Sequence, residues 1–200
     1  MRRTCLDVIE TYIKILKYLL ENDIGIDSLD DRSIYLDKDT FHKLLREFSY
    51  IDIRKQLKLW REINFILTDK KEQRFTKKVN IDGKSYRMVV VNMEPYFVLH
   101  EEQLIEKVIK EFIIIIDLIN KKKPQMIIEN DNTFYINKDF FERILNQKLF
   151  LASHRKLECL RALNLILVDK DRKRFTKKVV INGTGIRKVV ANKKLLEMIK

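Results

Sequence analysis

Early in the chain, apolar residues fall three and four positions apart: Ile9, Tyr12, Ile13, Leu16, Leu19 and Leu20. That spacing gathers them on one side of a helix and predicts an amphipathic first helix. A polar loop follows, and residues 34–36 then form a short β-like run. Asp37 is placed to cap a second helix carrying Phe41, Leu44 and Leu45. Asp52 is placed to cap a third, with Leu57, Trp60, Ile63 and Leu67 on its inner face. Only a short turn separates these two helices, which is the spacing of a helix-turn-helix. Beyond them, residues 75–81 and 86–91 read as strands flanking Asp82 and Gly83. An Asx-Gly pair between β-formers signals a hairpin, because both turn residues must tolerate positive φ.

The same pattern returns one hundred residues later. Ile105, Val108, Ile109, Phe112, Ile113 and Ile116 have the first helix's spacing, and residues 134–136 repeat the short strand. Asn137 precedes Phe141, Ile144 and Leu145, Ser153 precedes Leu157, Leu160, Leu163 and Leu167, and Asn182-Gly183 stands at the hairpin turn. The hexapeptide RFTKKV occurs at residues 74–79 and again at 174–179. Laying the chain over itself at this offset needs no gap, and 29 of the 100 aligned pairs are identical. A period of this length is too long for a solenoid module and suits a small domain with its own core. The sequence therefore predicts an α+β fold with an internal duplication: residues 1–100 form one domain and 101–200 the other, with residues 92–103 as connector.

Composition supports a folded chain: 46% of residues are hydrophobic, with only four Gly and two Pro. Lys and Arg number 41 against 29 Asp and Glu, for a formal charge of +12. Such an excess points to a polyanion, either nucleic acid or an anionic membrane surface. Its location narrows the choice. Residues 54–90 carry a net +7 and residues 154–190 a net +8, which leaves the remainder of the chain at −3. The basicity belongs to helix three and the hairpin.

Helix, strand, helix, helix, hairpin is the order of a winged helix, and both halves resemble the winged helix-turn-helix superfamily of DNA-binding domains. Two such domains in tandem resemble the replication initiators of plasmids and phages, and also single-chain regulators. The resemblance implies that helix three enters the major groove while the wing grips backbone or an adjacent minor groove. It makes Arg54, Lys55, Lys58 and Arg61 the outward-pointing contacts of one recognition helix, and His154, Arg155, Lys156 and Arg161 those of the other. Arg in such a position can contact guanine in bidentate fashion, whereas Lys more often meets phosphate.

The implied wing contacts are Arg74, Thr76, Lys77, Lys78, Lys84 and Arg87, then Arg174, Thr176, Lys177, Lys178, Arg187 and Lys188. Lys70, Lys71, Lys170, Arg172 and Lys173 precede the wing strands as backbone contacts. RFTKK survives where its surroundings have changed, and packing alone does not require all four of its polar residues to be kept. The competing explanation is an edge strand that uses Lys to block aggregation. Because Arg54, Lys55 and Lys58 stand opposite His154, Arg155 and Glu158, the two halves should not read the same bases.

Motifs for other chemistry are missing. The sequence contains no G-x-x-x-x-G-K-[ST], no G-x-G-x-x-G and no G-x-S-x-G. His42, His100 and His154 occupy unrelated positions, and neither Cys5 nor Cys159 has a C-x-x-C neighbour. The carboxylate pairs Asp37 with Asp39 and Asp30 with Asp31 read as capping or solvated groups. The expectation is therefore a non-enzyme without catalytic residues, metal, cofactor or small-molecule substrate. Two cysteines in non-equivalent places define no disulfide framework, and Asp7 and Glu10 interrupt the first apolar run, so a cytoplasmic protein without signal peptide is expected. Residues 112–120, FIIIIDLIN, are far fewer than the roughly 20 needed to span a bilayer and read as a buried helix. Double-stranded DNA is the expected partner, with a second copy of the chain or another replication or regulatory protein as a possible companion. Structured RNA is an alternative. So is a protein–protein scaffold, although that use calls for an apolar stripe where helix three has a basic face.

Overall fold

The structure, a computed structural model, describes residues 2–27, 32–69, 74–99, 102–122, 127–146, 152–169 and 174–199. It is mixed α+β, and the chain divides into two compact units, Met1–His100 and Glu101–Lys200. Among the described residues, no helix is long and apolar enough to cross a membrane.

The first unit begins with helix α1 (Arg2–Glu21) and strands β1 (Ile26–Asp27) and β2 (Ser33–Leu36), followed by helices α2 (Lys38–Phe48) and α3 (Ile53–Ile63). Strands β3 (Ile66–Leu67), β4 (Lys77–Ile81) and β5 (Lys84–Asn92) come next, and helix α4 (Glu94–Leu99) closes the unit. Strand β5 organises the sheet. Its C-terminal half is buried between β2 and β3, where Val91 pairs with both Ile34 and Ile66. Its N-terminal half pairs with β4 and is exposed, so the hairpin runs out of the core into solvent. Asp82 and Gly83 make the turn at φ 48° and 76°, a region that suits Asp and Gly and excludes most other side chains.

The core forms where α1, α2 and α3 cover the sheet. Ile9, Tyr12, Ile13, Leu16 and Leu19 are buried as their spacing predicts, whereas Leu20 is 45% exposed and Val8 and Ile15 turn inward instead. The ring of Tyr12 stacks on Phe65 at 3.8 Å and meets Trp60 edge-on at 5.5 Å, and Phe41 meets Trp60 at 5.6 Å. Aromatic pairs in these geometries stabilise beyond their buried area. Asp37 accepts from the amides of Asp39 and Thr40, and Asp52 from that of Lys55. Each cap satisfies donors that a helix start leaves without an intrahelical partner.

Helix α3 stops at Ile63, so Leu67 lies on a strand and not on the helix as its spacing suggests. Asn64 takes the left-handed conformation at φ 72°, its N–H donates to the carbonyls of Arg61 and Trp60, and the Phe65 N–H reaches Trp60. This closes the last turn and lets Ile66 and Leu67 extend into the sheet. The Asn92 amide donates to the Asn64 carbonyl at 2.8 Å, and the Tyr12 hydroxyl donates to the Asn92 carbonyl. Those two bonds tie the helix end, the sheet and α1 together.

The second unit has the same order: α5 (Glu102–Lys122), β6 (Ile127–Glu129), β7 (Thr133–Ile136), α6 (Lys138–Asn146), α7 (Ser153–Ala162), β8 (Ile166–Leu167), β9 (Lys177–Ile181), β10 (Thr184–Asn192) and α8 (Lys193–Ile199). The strand arrangement is also the same, β6-β7-β10-β8 with β9 on β10. Asn164 is left-handed at φ 54°, and the Asn192 amide donates to its carbonyl at 3.1 Å. Leu167, like Leu67, is therefore on a strand. The cap position of α7 is Ala152, which makes no capping bond, so Ser153 is the first helical residue and not the cap.

Residues 92–103 are no plain connector, because they contain α4. The Asn92 side chain accepts from the Glu94 amide at 3.2 Å, and Pro95 sits in the first turn, where a missing N–H is tolerated.

Candidate nucleic-acid interface

Burial divides α3 lengthwise. Gln56, Leu57, Leu59, Trp60 and Ile63 face the core, while Arg54, Lys55 and Lys58 are exposed. None of these three cations has an ion-pair partner among the described residues. Arg61 does not point outward. It is half-buried, with its guanidinium 5.4 Å from the centre of the Phe75 ring and 3.7 Å from the Glu62 carboxylate. This contact fastens the helix to the segment that begins the hairpin.

The corresponding face of α7 is weaker. His154 is exposed, meets the Phe175 ring edge-on at 5.3 Å and lies 3.3 Å from Glu158. Arg155 is half-buried and lies 3.4 Å from the same carboxylate, and Arg161 is exposed. Lys156 is not part of the surface at all. It is fully buried, 3.0 Å from a Glu111 oxygen, and donates to the Leu145 carbonyl at 3.1 Å. Its position matches that of Gln56, which is also buried, so both helices turn this side inward whatever charge it carries.

The two hairpins place like charges opposite one another. Lys78 pairs with Arg87 across the strands, Lys178 with Arg187, and Lys177 with Lys188. Directly opposed residues share a face of the ribbon, and like charges there are destabilising. Arg74, Lys78, Lys84 and Arg87 are exposed, with Thr76 and Lys77 half-buried; Arg174 and Lys178 are exposed, with Lys177 and Lys188 half-buried. Thr176 is buried and serves as an anchor. Arg187 donates through Nε to its hydroxyl and through a terminal nitrogen to its carbonyl, both at 3.3 Å, and lies 3.6 Å from Asp169. The stem of Lys178 lies over Gly185, where an added Cβ would stand 2.6 Å from Lys178 Cε.

Parts of the repeated hexapeptide thus serve the fold. Phe75 and Phe175 tie the hairpin to the third helix, Val79 is buried, and Thr176 fixes Arg187. The sequence signal for the phenylalanine was its identity in both copies at a site just outside the strand. Lys70, Lys71, Lys170, Arg172 and Lys173 lie outside the described residues, as do Asp30 and Asp31. No protein-family model and no curated protein matches the chain.

Proposed function

We propose that the chain binds double-stranded DNA sequence-specifically through two covalently linked winged-helix modules, acting as a plasmid- or phage-type replication, transfer, partition or transcription-control protein. The observation that carries this reading is the pairing of like charges across each hairpin, Lys78 with Arg87 and Lys178 with Arg187. Directly opposed residues share a face of the ribbon, so each hairpin gathers positive charge on one face, and a polyanion lying across that face is favoured. In the first unit the exposed Arg54, Lys55 and Lys58 belong to the helix that Arg61 and Phe75 tie to this hairpin. The element order of each unit is consistent with a winged helix, whose third helix and wing would meet the duplex together.

The modules are unequal. In the second, Glu158 engages both His154 and Arg155, so the first module supplies more of the helix-to-DNA charge and the half-sites differ. Covalent linkage presents each module to its half-site at high effective concentration, which raises affinity without new contacts. The test is selection of bound fragments from genomic DNA in the presence of structured RNA competitor. Recovery of duplex fragments sharing two unlike half-sites is expected. Displacement by the RNA at equal concentration would replace this reading with an RNA-binding one.

A further inference from the structure

A cleft of about 380 Å³ opens in the second unit where α6, α7 and the base of the hairpin meet. Lys138, Arg174 and Arg187 line it together with Glu142, and Leu157 and Phe175 supply apolar surface. The Arg187 guanidinium is pre-positioned by its two bonds to Thr176. Arg174 is exposed and has no ion-pair partner among the described residues, while Lys138 lies 3.8 Å from Glu142.

The sequence repeat gives this cleft its weight. Every residue that lines it is identical to its counterpart in the first unit except Glu142, which stands where the first unit has His42. Over the whole repeat only 29 of the 100 aligned pairs are identical, so retention is concentrated at this place. Packing accounts for the shared leucine and phenylalanine. Arg187 is held by Thr176 and lies 3.6 Å from Asp169, whose counterparts Thr76 and Asp69 are also unchanged, but neither packing nor these contacts account for the retained Lys138 and Arg174, matched by Lys38 and Arg74.

We propose that the cleft binds a nucleotide phosphate. Arg174, Arg187 and Lys138 hold the phosphate oxygens, and Phe175 and Leu157 receive the adjoining sugar or base. Arg suits this role because its planar fork matches phosphate oxygens. The volume exceeds what a bare phosphate needs and falls within the range of small-ligand sites. Glu142 opposes the anion, so replacing it with the His that stands at the matching position 42 favours binding. Two sources present this chemistry: a backbone phosphate of bound nucleic acid, or a free nucleotide. The first rests on the duplex-binding reading above, and the second does not.

The experiment is an NMR titration of the full chain with inorganic phosphate and with deoxyadenosine monophosphate, in parallel with duplex binding. The variants are Lys138→Ala with Arg174→Ala, which replace exposed side chains and spare the Arg187 anchor, and Glu142→His. The expected result is perturbation of the Phe175 and Thr176 amide signals by the monophosphate, at least tenfold weaker binding in the double variant, and tighter binding in Glu142→His. If the double variant loses the monophosphate yet keeps its duplex affinity, the source is a free nucleotide. If it loses duplex affinity as well, the source is the backbone. Monophosphate binding at the cleft in a chain that fails to bind duplex would uphold the cleft and remove the duplex reading. Signals that stay unmoved by both probes, with duplex affinity unchanged in a folded double variant, overturn the proposal.

Discussion

Lys156 and Glu111 meet at 3.0 Å inside the second unit, at the positions that Gln56 and Thr11 occupy in the first. In the first unit the same place is filled by neutral groups: Ser49 donates to Gln56, and Thr11 donates to the Asp7 carbonyl. Lys156 also holds the Leu145 carbonyl near the end of α6, so the pair joins α5, α6 and α7. The other Glu111 oxygen is buried without a hydrogen-bond partner.

Removing one member should therefore be severe. Lys156→Met leaves a buried carboxylate without its counter-charge, at a cost of about 3–5 kcal/mol. Lys156→Gln combined with Glu111→Thr reinstates the first unit's chemistry and should recover most of that loss. Trp60, the sole tryptophan, reports on the first unit, whereas far-ultraviolet circular dichroism reports on both. Urea unfolding of Lys156→Met should shift the dichroism transition more than the Trp60 fluorescence transition.

Lys77→Ala with Lys78→Ala should weaken duplex binding alike for all sequences, because these lysines would meet phosphate and not base edges. Stability should change by no more than about 0.5 kcal/mol, since Lys78 is exposed and Lys77 half-buried on the hairpin. Lys177→Ala with Lys178→Ala should behave in the same way. Thermal unfolding beside fluorescence anisotropy checks both halves of this expectation, and a sharp fall in melting temperature would assign these lysines to the fold.

Arg54→Ala should relax base preference at one position of the first half-site by about 1–3 kcal/mol, the worth of a bidentate contact to guanine. Arg155→Ala should do less, because Glu158 already engages that guanidinium at 3.4 Å. Competition between matched and single-mismatch duplexes measures both. Equal effects from the two variants would contradict the unequal modules inferred from the ion pairs of α7.

Asp37 gives the fold an acid-sensitive point. Hydrogen bonds from Thr40, and then from the Asp39 amide, hold its carboxyl below the ordinary value of 3.8. The folded state thus takes up this proton less readily than the unfolded chain. The contribution is present above about pH 3.8 and is lost as pH falls from there through the folded value. Asp37→Asn keeps a capping oxygen and should flatten this acid limb, whereas Asp37→Ala should cost about 1 kcal/mol near neutrality. Urea midpoints of the three proteins between about pH 3 and pH 6 test the sign.

Local signals made much of this architecture legible. Helical spacing located α1, α2, α5 and α6, and the Asx-Gly pairs located both hairpins, because each signal resides in a few adjacent residues. The end of α3 was hidden: Leu67 continues the apolar spacing from Ile63, and only the left-handed turn at Asn64 breaks it. Strands β1 and β3 span two residues each and owe their existence to their pairing with β2 and β5. The charge of Lys156 suggests an outward side chain, whereas its alignment with the buried Gln56 marks the inner side of the helix. The cleft could not be read along the chain, since Lys138, Arg174 and Arg187 come together only through the fold.

Duplex binding through these basic faces is tested most directly by its dependence on salt. Each phosphate neutralised by Lys or Arg releases condensed counterion, so the logarithm of the binding constant falls linearly with the logarithm of salt concentration. Contact with roughly six phosphates predicts a slope of about −5 for a labelled duplex of about 20 base pairs spanning two half-sites. The measurement is fluorescence anisotropy of that duplex with the full chain across a salt series. A slope near −5 is the expected result, and a slope near zero would contradict the assignment of these surfaces to a polyanion.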